Sequence, residues 1–274
     1  LYLCRANTII MDSLTIRISR DRIIFASYDR LRNMLPDYVV CPNNPDISLN
    51  ANVHQAIKGT EMAQQDYNFV DVLTDEPTLL VPLKEFEEED IDDIYFYNFP
   101  SLKERSRAYY DTLPYLNTVL LFSADRDVSN TLSDYFPVAK FHSCLTALMR
   151  QYVARYPFSA TLPRLYCYLC ERKLTLVVVQ HGALQFANTF NIHNPKDSLY
   201  YIAGIAQRFG LSAAGEPVYV SGYGAEAANL ADSMDKINLK AFFMDDNEEL
   251  SHHPIARIAE FPYDLKVHLL RAYE

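Results

Sequence analysis

With 274 residues, the chain is long enough for one large domain or two ordinary ones. Apolar residues at 49% and charged residues at 22% allow a sizeable core and exclude global disorder; apolar runs such as Leu174–Val179 fall far short of the roughly 20 residues a membrane-spanning helix needs. The formal charge is −10, of which the seven carboxylates of Glu85–Asp93 supply −7, and with no basic stripe to displace phosphate counterions a nucleic-acid partner is not expected.

The first ten residues, Leu1–Ile10, carry no apolar stretch with a cleavage site, so they read as a leader rather than a signal peptide. Leu14–Ser19 then alternates apolar and polar residues, breaks at Arg20-Asp21, and resumes at Arg22–Ser27, the pattern of a tight β-hairpin. The same register returns 151 residues later: Leu165–Cys170, a break at Glu171-Arg172, then Lys173–Val178. Leu14, Ile16 and Ile18 thereby fall on Leu165, Cys167 and Leu169, and Ile23 and Phe25 on Leu174 and Leu176. After each hairpin a third strand and a helix are predicted, Asp37–Cys41 with Leu49–Gln64 and Ala183–Phe190 with Pro195–Phe209. A strand–helix–strand unit follows, Thr118–Phe122, Asp125–Tyr135 and Val138–Phe141 in one case, Val218–Ser221, Ala225–Ile237 and Leu239–Phe243 in the other. Here the offset has dropped to about 100, which makes Tyr67–Leu116 an inserted subdomain. Helices over His142–Arg155 and Tyr263–Tyr273 would each close one half. The expected architecture is therefore α/β, two β-β-β-α-β-α-β-α halves over 11–157 and 158–274, with the insert at 67–116.

A duplicated meander with crossover helices, split by an insertion, resembles the actin-like, ribonuclease H-like ATPase fold shared by actin, sugar kinases and chaperone ATPases. The hairpin Leu14–Tyr28 and the stretches Thr118–His142 and Leu174–Phe190 are similar to an uncharacterised bacterial domain-of-unknown-function family assigned to that fold. The resemblance implies the fold and no particular activity.

ATP-binding members of the fold carry Asp-x-Gly at both hairpin turns, where the carboxylate organises Mg²⁺ and the glycine lets backbone N–H groups approach phosphate. The corresponding positions read Ser19-Arg20-Asp21 and Cys170-Glu171-Arg172, with no leading Asp and no Gly. Of seven glycines in the chain, none precedes Gly59. Arg20, Arg22, Arg172 and Lys173 are either anion-attracting or ordinary solvated turn residues, whereas Asp21 and Glu171 would repel phosphate. A degenerate, non-hydrolysing protein that binds or scaffolds, with no cofactor, is the expectation. Gly222 and Gly224, between the Val218 strand and its helix, stand where the fold keeps its adenosine-contacting glycines, so a nucleotide-binding ATPase with a non-standard site is the alternative.

Gly222-Tyr-Gly224-x-x-Ala227 also fits a dinucleotide fingerprint, with Asp245 about twenty residues on, as in a nicotinamide-dependent oxidoreductase. Cys167 and Cys170 form a C-x-x-C along a strand, without the second ligand pair that zinc requires. Five cysteines, an odd number, point to a reducing cytoplasm rather than a disulfide framework. The acidic run beside Tyr95, Phe96, Tyr97 and Phe99 reads as a solvated face, as the rim of a protein contact, or as a neighbour of the insert's own core.

Overall fold

In the computed structural model, which describes residues 11–28, 35–155, 161–211, 215–244 and 253–271, both hairpins form in the register the spacing predicts. Strands β1 (Met11–Ile18) and β2 (Arg22–Ser27) pair Ile18 with Ile23 and Ile16 with Phe25. Strands β9 (Arg164–Cys170) and β10 (Lys173–Gln180) pair Leu169 with Leu174 and Cys167 with Leu176. With β3 (Asp37–Pro42), β4 (Tyr67–Thr74) and β8 (Ala139–Ser143) the first hairpin builds a sheet ordered β3-β2-β1-β4-β8. With β11 (Ala183–Asn191), β12 (Val218–Gly222) and β13 (Ala241–Phe243) the second builds β11-β10-β9-β12-β13. In each sheet a three-stranded antiparallel meander continues into two parallel strands.

The fourth strand of the first sheet corrects the sequence reading. Thr118–Phe122 does not stand beside β1; Tyr67–Thr74 does, with Leu14 opposite Val70 and Ile16 opposite Val72. The 151-residue spacing therefore persists one strand further, from Tyr67 to Val218. The residues after β4 leave this sheet until β8 returns to it. They contain β5 (Leu79–Pro82), helix α2 (Ile91–Asn98), β6 (Ser106–Leu113) and β7 (Thr118–Asp125), whose strands make an antiparallel sheet ordered β5-β7-β6. Along β7 the two-residue period divides the apolar side chains. Val119 and Leu121 meet Tyr95, Phe96 and Leu102 under α2, while Leu120 and Phe122 turn toward the main body. The Tyr95–Phe99 aromatics are thus chiefly subdomain core, and Tyr97 alone among them is highly exposed, at 88%.

In each sheet two helices cover one face. Helices α1 (Leu49–Gly59) and α3 (Arg126–Tyr135) place Val53, Ile57, Val128 and Leu132 on Leu14, Ile16, Ile18, Ile23 and Phe25. Helices α5 (Pro195–Arg208) and α6 (Gly224–Asp232) place Ile202, Ala206, Ala227 and Leu230 on Leu165, Cys167, Leu169, Leu174 and Leu176. Helix α5 starts as its sequence indicates: Asn194 and Asp197 form a reciprocal capping box, with Pro195 in the first turn.

The opposite faces bring a second correction. Helices α4 (Cys144–Arg155) and α7 (Tyr263–Arg271) do not each close one half; they lie between the sheets. Leu148, Met149 and Tyr152 of α4 pack with Tyr166, Val177 and Val179 of the second sheet. Leu265 and Leu269 of α7 pack with Ile24 and Ala26 of the first. His142, expected at the start of a helix, is instead a residue of β8. Because α7 covers this face, the polar positions of β1 are also interior: Thr15 and Arg17 are buried along with Leu14 and Ile16. No helix among the described residues is long and apolar enough to cross a membrane.

Candidate functional site

The two hairpin turns meet where the sheets come together, and charged side chains span the gap. Arg17, the last inward polar residue of β1 before the turn, donates from Nε to both Asp264 oxygens of α7, at 3.1 and 3.0 Å. Its Nη1 lies 3.5 Å from Glu171 Oε1, within range of charge attraction though without hydrogen-bond geometry. Glu171, in the second turn, also accepts from Arg22 Nε at 3.1 Å. Arg22 in turn lies over the Tyr223 ring, 4.2 Å from its centre, a cation–π contact. The four residues form a chain of alternating sign, Arg22, Glu171, Arg17, Asp264, that is neutral as a whole.

Burial opposes the charge on Arg17, but Asp264 and the nearby thiol and phenol groups more than offset it, so the guanidinium is held charged more firmly than usual. A buried charge stripped of its partner costs about 3–5 kcal/mol, so this chain is a strong constraint on how the turns sit. Lys173, beside the second turn, is likewise committed: its Nζ lies 2.9 Å from Asp75 Oδ2 and donates to the Asp75 carbonyl. Of the four basic residues the sequence places around the turns, Arg22 and Lys173 are therefore held in ion pairs, while Arg20 and Arg172 are exposed.

The turns differ in backbone. Glu171 and Arg172 have φ of 48° and 60°, so this two-residue turn keeps the left-handed geometry without a glycine. The neighbouring turn of β10 and β11 has the same pair of signs, with Gly182 at its second position. An L-residue held there costs roughly 1–2 kcal/mol. Neither Arg20 nor Asp21 has positive φ. In the first turn Ser19 closes on itself through its hydroxyl and the Arg22 carbonyl, at 3.0 Å, and Asn43 Nδ2 caps the carbonyls of Ser19 and Arg20, each at 3.0 Å.

Beside the turns lies a cavity of about 630 Å³. Its charged lining comprises Asp21, Asp75, Glu76 and Asp125 against Arg20, Arg172 and Lys173. Asp125 is engaged as the N-cap of α3, accepting from Asp127 and Val128 N–H at 3.0 and 3.1 Å. Burial pushes the Glu76 carboxyl up from its usual range.

Gly222 and Gly224 each meet a backbone requirement. A Cβ on Gly222 would stand 2.1 Å from the Leu169 carbonyl oxygen, because β12 pairs with β9 at that point. Gly224 opens α6 with φ of +69° and has empty space where its side chain would be. Tyr223 between them donates its N–H to Leu169 O at 3.0 Å and faces Arg22. Asp245 lies outside the described residues, as do Leu1–Ile10. The strand that precedes it, β13, is the edge of its sheet among the described residues. Cys167 and Cys170 are buried in the strand, and burial drives both thiols up, Cys170 to about 12.

A family model described as a protein of unknown function (DUF3822) matches residues 6–238. The chain belongs to the DUF3822 family. No curated protein matches its sequence. Among solved structures, a Bacteroides thetaiotaomicron protein with actin-like ATPase fold and unknown function is similar at 20% identity with a TM-score of 0.78, over 95% of this chain and 96% of that one. The PilM–PilN type IV pilus biogenesis complex is similar at 14% identity with a TM-score of 0.57, over 96% and 99%. At these identities the likeness establishes the fold: this DUF3822 chain has an actin-like ATPase fold.

A second cluster escaped the sequence reading entirely. Asp111 of β6 accepts from Ser143 N–H at 3.0 Å and the Thr146 hydroxyl at 2.6 Å, and bonds His142 Nδ1 at 2.7 Å. His142 Nε2 lies 3.6 Å from Asp71 Oδ1, and Asp71 Oδ2 lies 3.1 Å from His268 Nε2. Residues 71, 111, 142 and 268 have no shared spacing that a motif could reveal.

Proposed function

We propose that this protein is a non-hydrolysing member of the actin-like fold that acts as a binding or scaffolding module. It consists of two related halves, 11–157 and 158–274, the first carrying an inserted subdomain between β4 and α3. The identical strand order and the shared 151-residue spacing support the duplication. The observation that carries the functional reading is the neutral chain Arg22–Glu171–Arg17–Asp264. Residues of the two turns bind each other where ATPases of the fold bind phosphate through their turns.

The neighbouring cavity supports the same reading. Four carboxylates against three cations, one of them committed to Asp75, offer little to a triphosphate. Arg172, with a side chain at a position of left-handed φ, occupies the place of the phosphate-approaching glycine. For Gly222 and Gly224 the proposed role is backbone fit, since the close approach to Leu169 and the positive φ account for both. With the nucleotide role set aside, a protein partner is the natural occupant of the module's surface, and the PilM–PilN complex is an instance of a protein of this fold in a complex. Phosphate release from Mg·ATP by the purified chain is the test. No release above buffer is expected, and sustained turnover lost on substituting Lys173 or Asp75 would overturn the reading.

A further inference from the structure

At the edge of the first sheet, away from the hairpin turns, a pocket of about 260 Å³ is bounded by β4, β8, α4 and α7. Positive charge gathers there in a chain whose net charge is −10. Lys140 and Arg150 line it, both exposed, and among the described residues neither is paired with a carboxylate. His142 lines it as well, with its Nδ1 fixed on Asp111 and its Nε2 without a hydrogen-bond acceptor among the described residues, Asp71 being 3.6 Å away. Burial opposes the imidazolium, yet the bond to Asp111 and the nearness of Asp71 outweigh it and lift the His142 pKa to about 9. At neutral pH the ring thus carries its proton on Nε2, beside the pocket.

We infer that this pocket binds a small carboxylate with a short apolar tail, its oxygens met by Arg150, Lys140 and His142 Nε2. The guanidinium fork matches two carboxylate oxygens, and charge-assisted bonds of this kind are about twice as strong as neutral ones. Phe69 and Val138, 52% and 48% exposed, together with Ala147 supply apolar wall for the tail. Asp71 sets the charge limit. It lines the same pocket and is only partly covered by His268 and His142, so it repels a doubly charged anion more than a singly charged one.

Calorimetric titration of the whole chain with butyrate, with inorganic phosphate and butyramide as comparisons, tests this. Saturable butyrate binding is expected, with Lys140→Ala and Arg150→Ala each weakening it about tenfold or more. Both positions are exposed, so the variants should fold. The His142 ring resonances should move with the same saturation curve, and the ring's pKa should rise in the complex. Equal or tighter binding of phosphate, or of the neutral amide, overturns the carboxylate assignment. No saturable binding up to about 10 mM, or binding indifferent to both variants, overturns the site.

Discussion

At the scale of single residues, alternation along β1 carries two meanings at once. Leu14, Ile16 and Ile18 were legible as a core face, but the intervening Thr15 and Arg17 also read as a solvent face, and both are buried. The central strand of a sheet covered on both sides has no outer face, and nothing local to Arg17 announces that Asp264, 247 residues away, will neutralise it. Removing one partner should be costly. Arg17→Ala and Asp264→Asn are each expected to lower unfolding free energy by about 3–5 kcal/mol in urea titrations, whereas the double change Arg17→Met, Asp264→Leu should recover a large part of the loss. Small, additive effects would mean that the pair is not a buried bridge. Arg172→Gly should act in the opposite direction, raising stability by about 1 kcal/mol by relieving a left-handed φ of 60°. Gly222→Ala should destabilise by about 1–3 kcal/mol, because the Leu169 carbonyl would have to move.

Between residues and the whole, the elements themselves were mostly legible, and their neighbours were not. Thr118–Asp125 is a strand, as its apolar run indicates, and α3 follows it directly. Its place in the β5-β7-β6 sheet rather than the main one was hidden because a period-2 pattern gives no partner. Tyr67–Thr74 holds the place beside β1 despite Asp71 in its middle, and that carboxylate is tolerated because two imidazoles cover it. The same cluster gives a pH dependence. His142 faces Asp111 on β6, Asp71 on β4, His268 on α7, Lys140 on its own strand and Arg150 on α4. Its folded pKa, about 9, exceeds the usual 6.5, so its contribution is complete below pH 6.5 and is lost as pH rises through 9, about 3 kcal/mol in all. Asp71, held below its usual range despite burial by the nearness of His142 and its bond to His268, contributes in the other sense: its share is present above the usual carboxyl range and lost on acidification. The two shifts share the His142–Asp71 contact, so they do not simply add. Urea unfolding of wild type and His142→Gln at pH 6 and pH 10 checks this. The difference between the two proteins should be large at pH 6 and small at pH 10; a constant difference would contradict it.

On the scale of the molecule, the 151-residue period was enough to find both turns and to show that neither holds a phosphate motif. It could not show that the turns engage each other, since that depends on how α4 and α7 fit between the sheets. Those two helices share their apolar faces with both sheets, so neither sheet has a complete core alone, and unfolding should be a single cooperative transition. Coincident far-ultraviolet and tyrosine-fluorescence transitions would agree with this, and a separated pair of transitions would not. In the proposed reading, internal charges occupy the role a nucleotide has elsewhere in the fold. Calorimetric titration of the intact chain with Mg·ATP tests it most directly: no saturable heat is expected up to about 1 mM nucleotide, and a micromolar dissociation constant weakened by Lys173→Ala or Arg172→Ala would contradict it.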